Sequence, residues 1–156
     1  MPSKKLFSFL DEKKVRYVTI KHSQAFTAQE IAATAHVPGN VFTKTVMIKV
    51  DGKMCMAVLP GAYKINFEQL KKALGKDNVR LAYEQEFMNK FPDCEVGAMP
   101  PFGNLYGLDV FVAESLTKDE EIAFNACSHT EIVKMKYKDF VTLVNPKILK
   151  FSKALV

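Results

Sequence analysis

Three places in the 156-residue chain carry side chains whose type and spacing could do chemistry. Lys44 sits in a β-branched run over 43–50, and in a strand it shares a face with Val46, Ile48 and Val50. An amine in such an apolar row must snorkel to solvent, pair with an anion or serve a pocket. The run Ala126-Cys127-Ser128-His129 offers a thiol, a hydroxyl and an imidazole between two expected strands. Adjacent side chains rarely point at one another, so a nucleophile and base within that run are disfavoured; a hydrogen-bonded loop histidine is the plainer alternative. The third place, 97–103, reads Gly-Ala-Met-Pro-Pro-Phe-Gly. Its glycines permit close backbone approach to a ligand and its prolines hold it stiff, although an ordinary long connection would look similar. His22 reads as a structural partner for nearby backbone.

Short, well-punctuated elements must position these groups. Leu6, Phe7, Phe9 and Leu10 give one apolar side to a helix over 4–14, and a strand follows over 17–21. Thr27 and Glu30 form a capping box for a helix that stops at Val37-Pro38-Gly39. A hairpin over 43–59 turns at Asp51-Gly52. Asn66 caps a helix over 67–74 that closes on Gly75; a strand over 79–82 and a helix over 84–91 come next. Strands over 108–113, 121–125 and 131–136 lead to a helix over 137–144 that stops before Pro146. No βαβ repeat is visible, so the pattern predicts an α+β fold with a mixed, largely antiparallel sheet and helices packed around it. The length predicts one domain over 1–156.

Composition narrows the function classes. With 48% hydrophobic and 25% charged residues, disorder and low complexity are excluded as the main story. The net charge of +5 permits a polyanion such as RNA without requiring one. The excess concentrates in Lys4, Lys5, Lys13, Lys14, Arg16 and Lys21, and in Lys147, Lys150 and Lys153, for which a solvated surface is the ordinary reading. No apolar run approaches the roughly 18 residues of a membrane span, and no secretory apolar core forms before Asp11, so a soluble cytoplasmic protein is expected. Cys55, Cys94 and Cys127 are odd in number and form no CxxC pair, which predicts reduced thiols rather than a disulfide or zinc site. GxGxxG, P-loop, HExxH and GxSxG patterns are absent, leaving dinucleotide, nucleotide-phosphate, zincin and serine-hydrolase chemistry without support.

The pieces resemble, in order and spacing over about 20–145, the YbaK/EbsC family of aminoacyl-tRNA editing domains, of the type associated with prolyl-tRNA synthetase. The matching residues are His22 with Ala25-Phe26-Thr27-Ala28 and Glu30, Lys44-Thr45, Val58-Leu59-Pro60-Gly61, Arg80-Leu81-Ala82 with Glu86, 97–103, Asn125 through His129, and Tyr137-Lys138-Asp139-Phe140. The resemblance implies a curved, barrel-like α+β domain. It also implies a trans-acting, metal-independent deacylase, without cofactor, that hydrolyses the ester of a mischarged tRNA. Lys44 and His129 would be its catalytic residues, with Thr45, Gly97, Phe102, Gly103 and Ser128 binding substrate and backbone N–H groups of the two loops supporting the oxyanion. The partners implied are the acceptor end of a mischarged tRNA and an aminoacyl-tRNA synthetase, with no membrane. Two positions depart from the pattern: Ser23 replaces the usual proline after His22, and Cys127 replaces the usual glycine before Ser128. Lys44-Thr45 resembles the branch clearing cysteine from proline tRNA, whereas His129 resembles the alanine-clearing branch. The alternative of another class is a tRNA- or synthetase-binding module of the same fold without turnover; a general esterase is weaker for want of a nucleophile elbow.

Overall fold

A computed structural model describes residues 4–22, 42–92, 94–95, 97–118 and 120–154. Ser23, the Thr27 capping box and the helix expected up to Gly39 lie outside these described residues. The first helix, α1 (Lys4–Glu12), buries Leu6 and Leu10, one turn apart on a single face. It ends where Lys14 takes φ 57° and the Val15 N–H reaches back to the Leu10 carbonyl. Strand β1 (Tyr17–Lys21) follows.

Strands β2 (Thr43–Val50) and β3 (Lys53–Pro60) form an antiparallel hairpin with eight consecutive residue pairs, from Thr43↔Pro60 to Val50↔Lys53. Asp51 at φ 49° and Gly52 at φ 80° close it, both positive as a two-residue turn of this hand requires. After β4 (Tyr63–Ile65), helix α2 (Phe67–Leu74) starts on the Asn66 side chain, which accepts from the Gln69 N–H, and stops at left-handed Gly75. Strand β5 (Val79–Leu81) and a short α3 (Glu84–Phe87) come next. The region expected as one helix over 84–91 instead tightens into a 3₁₀ turn at Met88–Lys90.

The second half holds β6 (Asp109–Ala113), β7 (Glu121–Ser128), β8 (Glu131–Lys136), α4 (Tyr137–Val144), β9 (Lys147–Leu149) and β10 (Ser152–Ala154). Strand β7 runs three residues beyond the expected end, so Ala126, Cys127 and Ser128 belong to it rather than to a connecting loop. The strands β4, β9 and β10 were not expected; each is three residues long, too short to show a period.

The fold is α+β, with its strands in three sheets among the described residues: β5-β2-β3-β6-β9, β1-β8-β7 and β10-β4. Pairing is antiparallel except at β3–β6 and β6–β9, as the mixed, largely antiparallel expectation has it. Central β3 is apolar at every position from Met54 to Leu59 because both its faces are covered. Met54, Met56 and Val58 enter one core with Leu6, Leu10, Phe102, Phe124 and Phe140; Cys55, Ala57 and Leu59 enter another with Ile48, Leu70 and Phe151. The large sheet meets the β1-β8-β7 sheet through a bridge from Phe42 to Ala123, where the Thr43 hydroxyl donates to the Ala123 carbonyl at 3.1 Å.

Candidate functional site

Lys44 stands opposite Leu59, on the face of β2 that carries Ile48 and looks into the second core. Thr45, one residue on, stands opposite Val58 and faces the first core with Met47. The amine is half-buried, and that burial lowers its pKa below the ordinary lysine value. Among the described residues no hydrogen bond or ion pair reaches it. The adjoining Thr43–Ala123 contact fastens this end of the hairpin to β7.

His129 lies in the turn between β7 and β8 and is 7% exposed. A dense set of contacts holds that turn. The His129 N–H donates to a Glu95 carboxylate oxygen at 2.7 Å, and the Glu95 N–H donates to the Cys127 carbonyl. The Cys127 N–H in turn donates to the Ala98 carbonyl, and Cys127 is disulfide-bonded to Cys94 across a Cα–Cα distance of 4.1 Å. The expectation of reduced thiols is therefore corrected. Thirty-three residues of sequence separation conceal two cysteines that meet because Glu95 and Ala98 lie along the end of β7. Cys55 alone is a free, buried thiol among the described cysteines.

Gly97, at φ 85°, lies against the imidazole: a Cβ built there would sit 3.6 Å from His129 Cε1. The left-handed backbone favours glycine at this point, while the ring would meet a Cβ only in ordinary van der Waals contact. The Ser128 hydroxyl bonds Thr130 Oγ1 at 2.8 Å and accepts the Thr130 N–H, bracing the turn. Gly97, Ser128 and His129 are thus brought together. Phe102 and Gly103 are spent on packing instead. Phe102 is fully buried against Phe9, Phe124 and Phe140, and a Cβ at Gly103 would fall 2.6 Å from Val110 and 2.7 Å from the Leu108 carbonyl. Neither offers a ligand a surface. Three of the expected backbone donors are engaged, since the N–H groups of Cys127, Ala98 and His129 serve the bracing contacts.

Sequence reasoning gave no site role to two participants. Glu95 carries no pattern that distinguishes a carboxylate bound to backbone N–H from one in solvent. Asn125 precedes a register shift in β7, and its Oδ1 is buried without a donor among the described residues. The cleft of about 800 Å³ at the far end of the large sheet contains none of the candidate residues. Its Lys53 and Lys76 are paired with Asp109 and Asp51. Among the described residues no cluster of side chains suits a metal ion, and no helix is long and apolar enough to cross a membrane.

The family model of the aminoacyl-tRNA editing domain matches residues 22–143, most of the chain and all of the site just described. The chain belongs to the aminoacyl-tRNA editing domain family. Two curated relatives are proline–tRNA ligases. That of Staphylococcus saprophyticus is 38% identical over 63 residues, 40% of this chain and 11% of the relative. That of Staphylococcus aureus strain Newman is 39% identical over 74 residues, 47% of this chain and 12% of the relative. The matches thus span about an eighth or less of the ligases' length. Among solved structures, the hypothetical protein APE2540 superposes with TM-score 0.85 at 19% identity, covering 96% of this chain and all of that one. A candidate trans-editing enzyme for prolyl tRNA synthetase superposes with TM-score 0.81 at 15% identity, covering 97% of both. Likeness at such identities shows a shared fold.

Proposed function

We propose that the editing domain, acting as one unit over 1–156, is a cytoplasmic trans-acting deacylase that hydrolyses the ester of a mischarged tRNA without a metal or cofactor. Lys44 carries the proposal. An amine half-desolvated on an apolar face, with no counter-ion among the described residues, suits an anion brought by a ligand. In hydrolysis, water adds to the ester carbonyl, the oxygen gains negative charge, and the ribose oxygen leaves with a proton. Lys44 stabilises that charge or the terminal phosphate, strengthened by the low dielectric around it. His129, held by Glu95 and Gly97, orients the attacking water, Ser128 steadies its turn, and Thr45, on the face of β2 away from Lys44, meets the substrate from that side. Asn125 Oδ1 suits the substrate's ammonium as an acceptor. Phe102 and Gly103 serve by fixing the loop. The family and the solved likenesses support a prolyl-tRNA synthetase as partner.

The test is single-turnover deacylation over a panel of alanyl-, cysteinyl- and seryl-tRNA. Lys44→Ala is expected to slow the best substrate at least ~100-fold, as loss of a key oxyanion donor does, with an unchanged urea midpoint. His129→Ala is expected to slow it less, through positioning. Full activity in Lys44→Ala would remove the proposed site. One observation favours the reading without turnover: the N–H groups of Cys127, Ala98 and His129 are all occupied internally. Binding of mischarged tRNA without release of amino acid by the wild-type protein would establish it.

A further inference from the structure

The geometry points to a second RNA contact: the basic groove between the end of α1 and the start of α4 holds the phosphates of the tRNA acceptor duplex. This inference rests on the editing reading and names the surface that positions the substrate. Lys13, Lys14, Arg16 and Lys136 line a groove of about 310 Å³ in which Asp139 is the single carboxylate. All four cations are exposed, and among the described residues none has an ion-pair partner. Two of the neighbouring acids have partners: Asp11 accepts from the Tyr17 hydroxyl, and Glu121, opposite Lys136 in the β7–β8 ladder, pairs with Lys134 at 3.9 Å.

The register sharpens the point. One position beyond the last pair of the β1–β8 register, Tyr17↔Met135, continuation of the ladder sets Arg16 beside Lys136, which Glu121 opposes from β7 on its other side. Like charges opposed across strands destabilise a sheet unless an anion joins them. The left-handed Lys14 fixes the bend that sets Lys13 and Lys14, just past α1, beside this pair. Strand β8 links the groove to the histidine turn; its five steps from Glu131 to Lys136 span about 17 Å at ~3.3 Å per residue. A single-stranded acceptor end in the site would thus bring the following duplex to the groove, where phosphate contacts set orientation without reading sequence.

The experiment compares K13Q/K14Q/R16Q/K136Q with a control that removes the same charge elsewhere, K64Q/K147Q/K150Q/K153Q. Binding of an uncharged tRNA transcript is measured against salt, and deacylation on an aminoacylated acceptor-stem minihelix and on aminoacyl-CCA. Four phosphate contacts predict a slope of log K against log salt that is shallower by roughly 3–4 in the groove variant, with affinity at low salt down at least ~10-fold. KM for the minihelix is expected to rise with kcat unchanged, while aminoacyl-CCA is unaffected. Equal losses in both variants, or an equal rise in KM for aminoacyl-CCA, would overturn the groove. Groove-dependent tRNA binding by a protein that deacylates none of the substrates would support the groove while sinking the deacylase reading.

Discussion

The two hairpins that carry Lys44 and His129 are built in opposite ways. The β2–β3 hairpin is a regular ladder with a two-residue turn, and its core alternates from one face to the other without interruption. Lys44 is located by register, with the Thr43–Ala123 contact fastening the strand end; its place opposite Leu59 makes it an amine against a core. The β7–β8 hairpin breaks register between Asn125 and Ser128, and Cys127 there takes φ 66°, a left-handed backbone that costs an L side chain energy. His129 is located by what lies outside its hairpin: Glu95, Gly97 and the Cys94 bond. A regular element offers a charge at low conformational cost, whereas an irregular one needs a separate brace.

Removing the brace gives the largest expected effect. The Cys94–Cys127 bond closes a loop of 33 residues, for which chain entropy predicts about 3–4 kcal/mol. Reduction should lower stability in urea by that order and slow deacylation, while Lys44 reactivity toward an amine reagent stays the same. Cys127→Ala and Cys127→Gly both lose the bond, yet the glycine variant should be the more stable by about 1 kcal/mol, because only alanine keeps the left-handed strain. Equal midpoints for the two variants would mean that the turn relaxes once the bond is gone, and the contrast between the hairpins would weaken.

That contrast also explains which parts were legible in the sequence. The bounds of β1, β2, β8, α2 and α4 follow from alternation, the Asp51-Gly52 turn, the Asn66 cap and Gly75, all of which act within a few residues. Lys44 stood out by the same short-range logic. The bracing of His129 links Cys94, Glu95, Gly97 and Ala98 to 127–129, and no local period encodes such a contact. The cysteine arithmetic failed for this reason: an odd count without CxxC says nothing about chains that cross in space. Phe102 and Gly103 were legible as a stiff loop but not as an interior one, since burial there depends on Phe9, Phe124 and Phe140 arriving from three distant elements.

A smaller effect separates the brace from the thiols. Glu95→Gln keeps the shape of the side chain and removes the charge that accepts the His129 N–H, an exchange worth about 1 kcal/mol for a part-buried bond. As a positioning residue, Glu95 should change kcat and leave tRNA binding as it was. An unchanged kcat with lowered stability would confine Glu95 to folding, and the His129 hairpin would then be braced by the disulfide and Gly97 alone.

The regular hairpin has a weak point of its own, and it gives the smallest and most pH-specific effect. Lys49 on β2 stands opposite Arg80 on β5, two cations side by side. Glu86 joins them, accepting two Arg80 bonds at 2.9 Å and approaching Lys49 at 3.4 Å. The Arg80 bonds chiefly, then the Tyr83 N–H, hold its carboxyl down from 4.5 to about 2. A depressed folded pKa means stabilisation that is complete above the unfolded value and lost as pH falls toward the folded one. The urea midpoint of the wild-type protein should therefore decline between pH 4.5 and about 2, and Glu86→Gln should flatten part of that decline. The group is solvent-accessible, so salt should shrink the difference. A decline of the same steepness in Glu86→Gln would assign the acid sensitivity to other carboxylates. The β2–β5 edge would then tolerate its opposed cations without a bridging acid, and register with the Thr43–Ala123 contact would suffice to hold the Lys44 strand.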